Sequence, residues 1–488
     1  MTPVVAESAV PSSTIRDPGS YRDPSGFVYR RDGRLLRQVN RSYATHWDAL
    51  VASGFLTDLV ERGWLIPFEP VDAAQAAEPA DVHAVIAPEP IDFISYPYEW
   101  TFGQLQDAAL LTLDIQAAAQ KAGFTLKDAS AYNIQFRHGR PILIDTLSFE
   151  VATPGAPWIA YRQFCQHFLA PLALMAYRDV RFGLLLREYL DGLPLDLVSR
   201  LLPARTRLRF GLLSHIHLHA RAERRFDGRH DPTPAGDSAA PPPASPKRAA
   251  PKTGDLRRAA LIDSLRSAVR KLRWEPGGTE WADYAGNTSY AEGAAAAKDA
   301  TVEAMLRASA GSRVWDLGAN TGRFSRIAAG LGKGVLAFDI DPGAAELHYR
   351  AIRRERSEAI LPLVADVANP SPGLGWAGTE RQSLAERANA DVILALALVH
   401  HLAIGRNVPL AAIGDWFARL APEAIVEFVP KGDPMVDFLL ASREDVFPDY
   451  TLDGFRAAMA RSFETVAEVP LEGSTRILFH LRRRPATA

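Results

Sequence analysis

The run Val314-Trp315-Asp316-Leu317-Gly318-Ala319-Asn320-Thr321-Gly322-Arg323-Phe324-Ser325 constrains the fold of this chain more than any other. It reads as a buried strand, a tight glycine turn and the first turn of a helix, in the pattern D-x-G-x-N-x-G. Glycine is required where backbone must approach a ligand closely and where a side chain would clash. The helix that follows aims free N–H groups, and the positive end of its dipole, at whatever sits on the turn. The next apolar run, Gly334 to Phe338, closes on Asp339-Ile340. Gly318 and Asp339 therefore lie one strand–helix–strand unit apart. At that separation an acidic residue takes the ribose of a nucleotide bound to an α/β sheet. A carboxylate suits the task because it accepts from two vicinal hydroxyls at once.

Three more strand ends follow in order. Leu361 to Val367 ends in Asp366-Val367, Asp391 to Val399 runs into His400-His401, and Ala424 to Lys431 carries Glu427. Helical segments separate them. This alternation predicts a doubly wound, Rossmann-like parallel α/β sheet with its ligand at the carboxyl ends of the strands. Asp316, Gly318, Asp339, Asp366 and His400 fall along that one rim.

The turn departs from the dinucleotide pattern G-x-G-x-x-G: its first two glycine slots are Gly318 and Asn320, and an Asp opens it. With four motifs in the right order, residues 274–488 resemble the class I S-adenosylmethionine (SAM) methyltransferases. That resemblance implies SAM as cofactor. It puts Gly318, Ala319, Asn320 and Gly322 in the cofactor turn, Asp339 and Ile340 at the ribose, and Asp366 and Val367 at the adenine. Asp316 falls to the amino group of the methionine moiety. Tyr284 and Tyr290, with Trp281, fall in a segment that closes over the cofactor, where aromatic faces attract a sulfonium. A hydroxyl or acidic carbon acceptor needs a base, and imidazole titrates near working pH. His400 and His401 are the candidates. Neighbouring strand residues point to opposite faces, so one of the two is expected to face the site, with His400 preferred. Glu427 reads either as a substrate contact or as a structural salt bridge. Asn369-Pro370-Ser371-Pro372 is similar to the N-P-P-Y signature of amino-group methyltransferases, but it follows the third strand where that signature follows the fourth. It reads as a loop.

At 488 residues the chain exceeds one core, so two domains are expected. A net charge of −2 gives no electrostatic footprint for nucleic acid. One cysteine, Cys165, excludes an internal disulfide and fits a reducing compartment. Met1 to Ser25 lacks the apolar core of a signal peptide, and no apolar run reaches membrane-spanning length. A cytoplasmic protein without membrane insertion is expected. The Pro/Ala/Ser-rich text from Asp231 to Pro251 changes composition abruptly. The expected organisation is a disordered tail (1–24), an α+β N-terminal domain (25–225), a linker (226–254) and the methyltransferase domain (255–488). Within the last, Leu261, Leu265, Val269 and Leu272 have helical spacing.

The N-terminal half holds Asp128, then Asn133 five residues on, then Pro141-Ile142-Leu143-Ile144 closing on Asp145. This resembles the core of protein kinases and aminoglycoside-phosphotransferase-like enzymes. The resemblance implies an acceptor-orienting role for Asp128 and magnesium binding by Asn133 and Asp145. The departures are Lys127 in place of an Arg, Thr146-Leu147 after Asp145, Arg37 in place of a lysine, and no glycine-rich phosphate loop. The chain as a whole resembles bacterial two-part methyltransferases with nodulation-type members, on segments such as Ile94-Ser95-Tyr96-Pro97-Tyr98-Glu99-Trp100 and Glu427-Phe428-Val429-Pro430-Lys431. The expected function is methyl transfer from SAM to a small-molecule or carbohydrate-derived acceptor. Two alternatives stand beside it: a bifunctional enzyme with a phosphotransfer N-terminal half, and a non-catalytic SAM- or partner-binding scaffold.

Overall fold

The computed structural model describes residues 14–222, 251–277, 292–441 and 443–485. The first half begins with a five-stranded antiparallel sheet of strands β1 (Thr14–Arg16), β2 (Gly26–Arg31), β3 (Arg34–Asn40), β4 (Phe68–Val71) and β5 (Val82–Pro88), in the order β1-β2-β3-β5-β4. The β2–β3 link is the two-residue turn Asp32-Gly33, with φ of 51° and 80°. That left-handed pair matches the twist of a hairpin. Helix α1 (Phe102–Lys121) starts on a capping box: Thr101 accepts from the Gln104 N–H, and the Gln104 side chain accepts from the Thr101 N–H. Four short strands follow in two ladders, β6 (Phe124–Leu126) with β9 (Phe149–Val151), and β7 (Ile134–Arg137) with β8 (Arg140–Leu143).

Residues 14–24, expected to belong to a tail, are held in place. Thr14–Arg16 pairs antiparallel with Arg31–Tyr29, and Arg22 makes two 2.9 Å hydrogen bonds to Glu380. The partners lie far away in sequence, so the polar composition of this stretch gave no sign of them. The linker and tail expectations otherwise fall largely outside the described residues. Helix α2 (Pro251–Lys271) begins where the linker was expected to end, and it buries Leu265, Val269 and the adjoining Leu272.

The second half is a seven-stranded sheet in the order β12-β11-β10-β13-β14-β16-β15. Its strands are β10 (Arg313–Leu317), β11 (Gly334–Asp339), β12 (Ile360–Val364), β13 (Val392–Ala395), β14 (Glu423–Phe428), β15 (Phe463–Pro470) and β16 (Ile477–Arg483). The first five positions are parallel, and β16 and β15 close the sheet antiparallel. Its helices include α3 (Glu292–Ala308), α4 (Arg323–Gly330), α5 (Pro342–Glu355), α6 (Leu410–Leu420) and α7 (Leu452–Met459). This is a doubly wound, Rossmann-like sheet. Strand order reverses between β10 and β13, so the switch point lies beside the glycine turn.

One hydrophobic cluster runs through both halves. The segment 93–107 is the joint. Phe93 stands edge-on to Trp315 and Phe338 of the second sheet, with ring centroids 5.6 and 6.2 Å away. Buried Glu99 pairs with buried Arg387, which also donates to the Ile94 carbonyl. The Gln104 side chain donates to the Pro362 carbonyl, and the Gly103 N–H donates to Glu346. Breaking one partner of such a buried pair costs about 3–5 kcal/mol. Among the described residues no helix is long and apolar enough to cross a membrane.

Candidate functional site

The glycine turn is a chain of left-handed residues: Gly318 (φ 77°), Asn320 (φ 49°) and Gly322 (φ 83°). The Gly318 and Ala319 N–H groups both donate to the Phe338 carbonyl, which ties the turn to the end of β11. Asp339 completes the tie. One carboxylate oxygen accepts from the Asn320 N–H at 2.7 Å, and the other from the Asp341 N–H at 2.8 Å. A carboxylate has about four acceptor positions, so each oxygen keeps capacity for a hydroxyl. Burial pushes Asp339 up to about 6, against the pull of these backbone bonds. Ile340 beside it is exposed.

Asp316 is buried beneath the turn and accepts from the Ser325 hydroxyl at 2.6 Å. Burial and the neighbouring Asp339 charge raise it to about 6, against the Ser325 bond. Asp366 accepts from the Ala368 N–H at 2.9 Å and lies 3.6 Å from Arg406, with Val367 partly exposed beside it. Trp281, Tyr284 and Tyr290 lie outside the described residues.

His400 and His401 are not on a strand. β13 stops at Ala395, the chain turns at Ala397 (φ 52°), and both histidines sit on a helical turn. Strand alternation therefore does not apply, and the rings face each other with centroids 4.1 Å apart. His400 is 1% exposed, and neither of its ring nitrogens has a hydrogen-bond partner among the described residues. Burial, aided by His401, Arg476 and Lys298, drives its pKa down to about 2. His401 is lowered to about 4 by burial and Arg476.

Glu427 is fully buried and accepts from Lys298 at 2.6 Å. Arg476 lies 3.7 Å from its other oxygen and donates to Asp433 at 2.7 and 3.1 Å. Lys298, Arg476, Asp433 and Ser325 escaped the reading of the sequence. Lys298 carried one signal, a lone cation after the four alanines 294–297.

In the first half, Asp128, Asn133 and Asp145 do converge. Asn133 donates to Ser148 at 3.3 Å, and the Ser148 hydroxyl donates to Asp145. Burial and the Asp145 charge raise Asp128, while bonds from Ser130, Asn133 and Gln163 oppose them. Arg37 from β3 is ion-paired with Asp145. Although burial acts to raise Asp145, that guanidinium and the bonds from Ser148 and Leu147 hold it below the usual carboxylate range. Lys127 donates to Ser25 at 2.6 Å and lies 3.4 Å from Asp23. A divalent cation at Asp145 would have to displace the Arg37 guanidinium, so the residues present do not fit a magnesium site.

No protein-family model matches the chain. Among solved structures it is similar to magnesium protoporphyrin IX methyltransferase (ChlM) from Synechocystis PCC 6803 with bound SAH, at 15% identity and a TM-score of 0.30, over 42% of this chain and 93% of that one. It is also similar to N-methyltransferase NodS from Bradyrhizobium japonicum WM9, at 12% identity and a TM-score of 0.29, over 40% of this chain and 98% of that one. Likeness at this level assigns neither activity nor ligand. The whole-chain comparison is far stronger: nodulation protein NoeA of Rhizobium meliloti (strain 1021) is 36% identical over 471 residues, 95% of each chain. With that identity along nearly its full length, the chain belongs to the family of nodulation protein NoeA.

Proposed function

We propose that the second half binds SAM and transfers its methyl group to a small-molecule or carbohydrate-derived acceptor. The observation that carries this reading is the left-handed turn 318–322 pinned by Asp339 at the switch point of a doubly wound sheet. SAM supplies a methyl group already activated on a sulfonium, so the protein's task is alignment and exclusion of water. In this reading the free acceptor positions of Asp339 take the ribose hydroxyls, with Ile340 against the ring. Asp366 and the Val367 backbone take the adenine. Asp316 faces the methionine amino group, and the Gly318, Ala319, Asn320 and Gly322 backbone lines the approach.

His400 is the base of choice in this reading. Its assignment rests on its place just after β13 and on two ring nitrogens without a hydrogen-bond partner among the described residues, while burial works against it by lowering its basicity. His401, its ring tilted against it, is the alternative. The Lys298 ion pair with Glu427 favours a structural role for Glu427, holding α3 against β14. The N-terminal half in this reading holds the acceptor or positions the second half, because Arg37 occupies the carboxylate that phosphotransfer would require.

Calorimetry of the full chain with SAM and its demethylated product tests the proposal. Saturable one-to-one binding of both is expected. A folded chain that binds neither would overturn it. Binding of both without methyl transfer to any acceptor would favour the scaffold alternative.

A further inference from the structure

Away from the sheet rim, a cavity of about 740 Å³ opens where the start of α1, the end of α2 and the outer half of α5 meet. Five arginines and three carboxylates line it. The carboxylates are all engaged. Glu346 accepts from the Gly103 N–H and from Arg350, Glu275 accepts from Arg350, and Asp107 accepts from the Tyr349 hydroxyl with Arg353 at 3.4 Å. Arg273 folds back onto the last carbonyls of α2, which already answers the negative end of that helix. Arg270 and Arg354 remain, both exposed, without a salt bridge among the described residues. Trp274 closes one wall, its ring 6.4 Å from that of Phe102.

Arg270 and Arg354 thus give one concavity two exposed guanidinium groups without a salt bridge among the described residues. A guanidinium presents a planar fork of donors that fits two oxygens of a tetrahedral oxyanion at once. We infer that this cavity binds a ligand bearing a phosphate- or sulfate-type group, held by Arg270 and Arg354, with Trp274 against its non-ionic part. Arg270, Trp274 and Arg354 all come from the second half, and residues 102–107 of the first half complete the wall beside them. The inference is independent of the methyltransferase reading.

The test is titration of the full chain with pyrophosphate, with sulfate and with chloride at constant ionic strength, followed by calorimetry and by melting temperature. Pyrophosphate or sulfate is expected to bind saturably and raise the melting temperature, and the stronger of the two identifies the oxyanion. The double variant Arg270→Ala, Arg354→Ala changes exposed side chains only and should keep its fold. Its affinity should fall by about tenfold or more, since a hydrogen bond to a charged group carries at least that factor. Its affinity for SAM should not change. Oxyanion effects no larger than those of chloride, or equal binding by the folded double variant, would overturn the inference.

Discussion

A Cβ placed on Gly322 would lie 2.0 Å from Nε2 of His348, so the last glycine of the turn rests directly on a buried imidazole of α5. Gly322 is therefore doubly constrained, by its φ of 83° and by that ring. Gly322→Ala should lose about 1–2 kcal/mol from the left-handed backbone and about 1–3 kcal/mol more from the clash. His348→Ala removes the clash and leaves the backbone term. In a double-mutant cycle followed by urea unfolding, the pair should be less destabilised than the sum of the singles. Strict additivity would show that the ring does not set the requirement.

Asp339→Ala removes the proposed ribose acceptor and frees the Asn320 and Asp341 N–H groups. Hydrogen bonds to a charged group contribute about 1.5–3 kcal/mol each, so affinity for SAM should fall roughly 10- to 100-fold or more. Calorimetry checks this. An unchanged dissociation constant would remove Asp339 from the ribose.

The two histidines separate by kinetics. His400→Ala should lower kcat by about 10²–10⁴-fold, the usual contribution of a general base, while SAM affinity stays near wild type. His401→Ala should act mainly on stability through the lost ring contact. The reverse pattern would exchange the roles. No effect of either on kcat would leave alignment as the sole mechanism.

Stability should fall as pH is lowered from 7 to 5. Burial first, and neighbouring cations or rings second, hold His400 at about 2 and His401, His167 and His215 at about 4. His348 is also at about 4, by burial and Arg326. The unfolded chain titrates these rings near about 6.5, so it binds more protons than the native state between that pH and about 4. The stability they contribute is full above about 6.5 and is lost as pH falls through this window. Asp316 and Asp339, raised to about 6, act in the opposite sense, since the native state holds their protons longer. Asp128 and Glu346 are raised as well and His217 is lowered with the other rings, so six rings stand against four carboxyls and outweigh them. A melting temperature that rises between pH 7 and 5 would contradict the balance.

ATP with magnesium should not stabilise the full chain. A working site would add about 2.7 kcal/mol at ligand a hundredfold above its dissociation constant, readily seen as a melting shift. Arg37 on Asp145 and the missing phosphate loop argue for none. A magnesium-dependent shift abolished by Asp145→Asn would establish the bifunctional alternative.

The parallel sheet, its glycine turn and the acidic end of β11 were legible in the chain itself. Each rests on local physics: apolar runs of strand length, glycines where φ is positive, and a carboxylate one strand–helix–strand unit on. The hairpin Asp32-Gly33 and the capping box at Thr101 are of the same kind, local signals that need no distant partner. What lay beyond reach depends on residues far apart in sequence. Lys298 meets Glu427, Arg476 meets Asp433, and Glu99 meets Arg387, and no spacing rule announces such pairs. The helical turn that brings His400 against His401 follows Ala397, where the backbone leaves the strand early. The ion pair of Arg37 with Asp145 shows the same division: the order Asp128, Asn133, Asp145 was readable as a resemblance to phosphotransfer enzymes, but only the tertiary fold decided that a guanidinium would sit on Asp145.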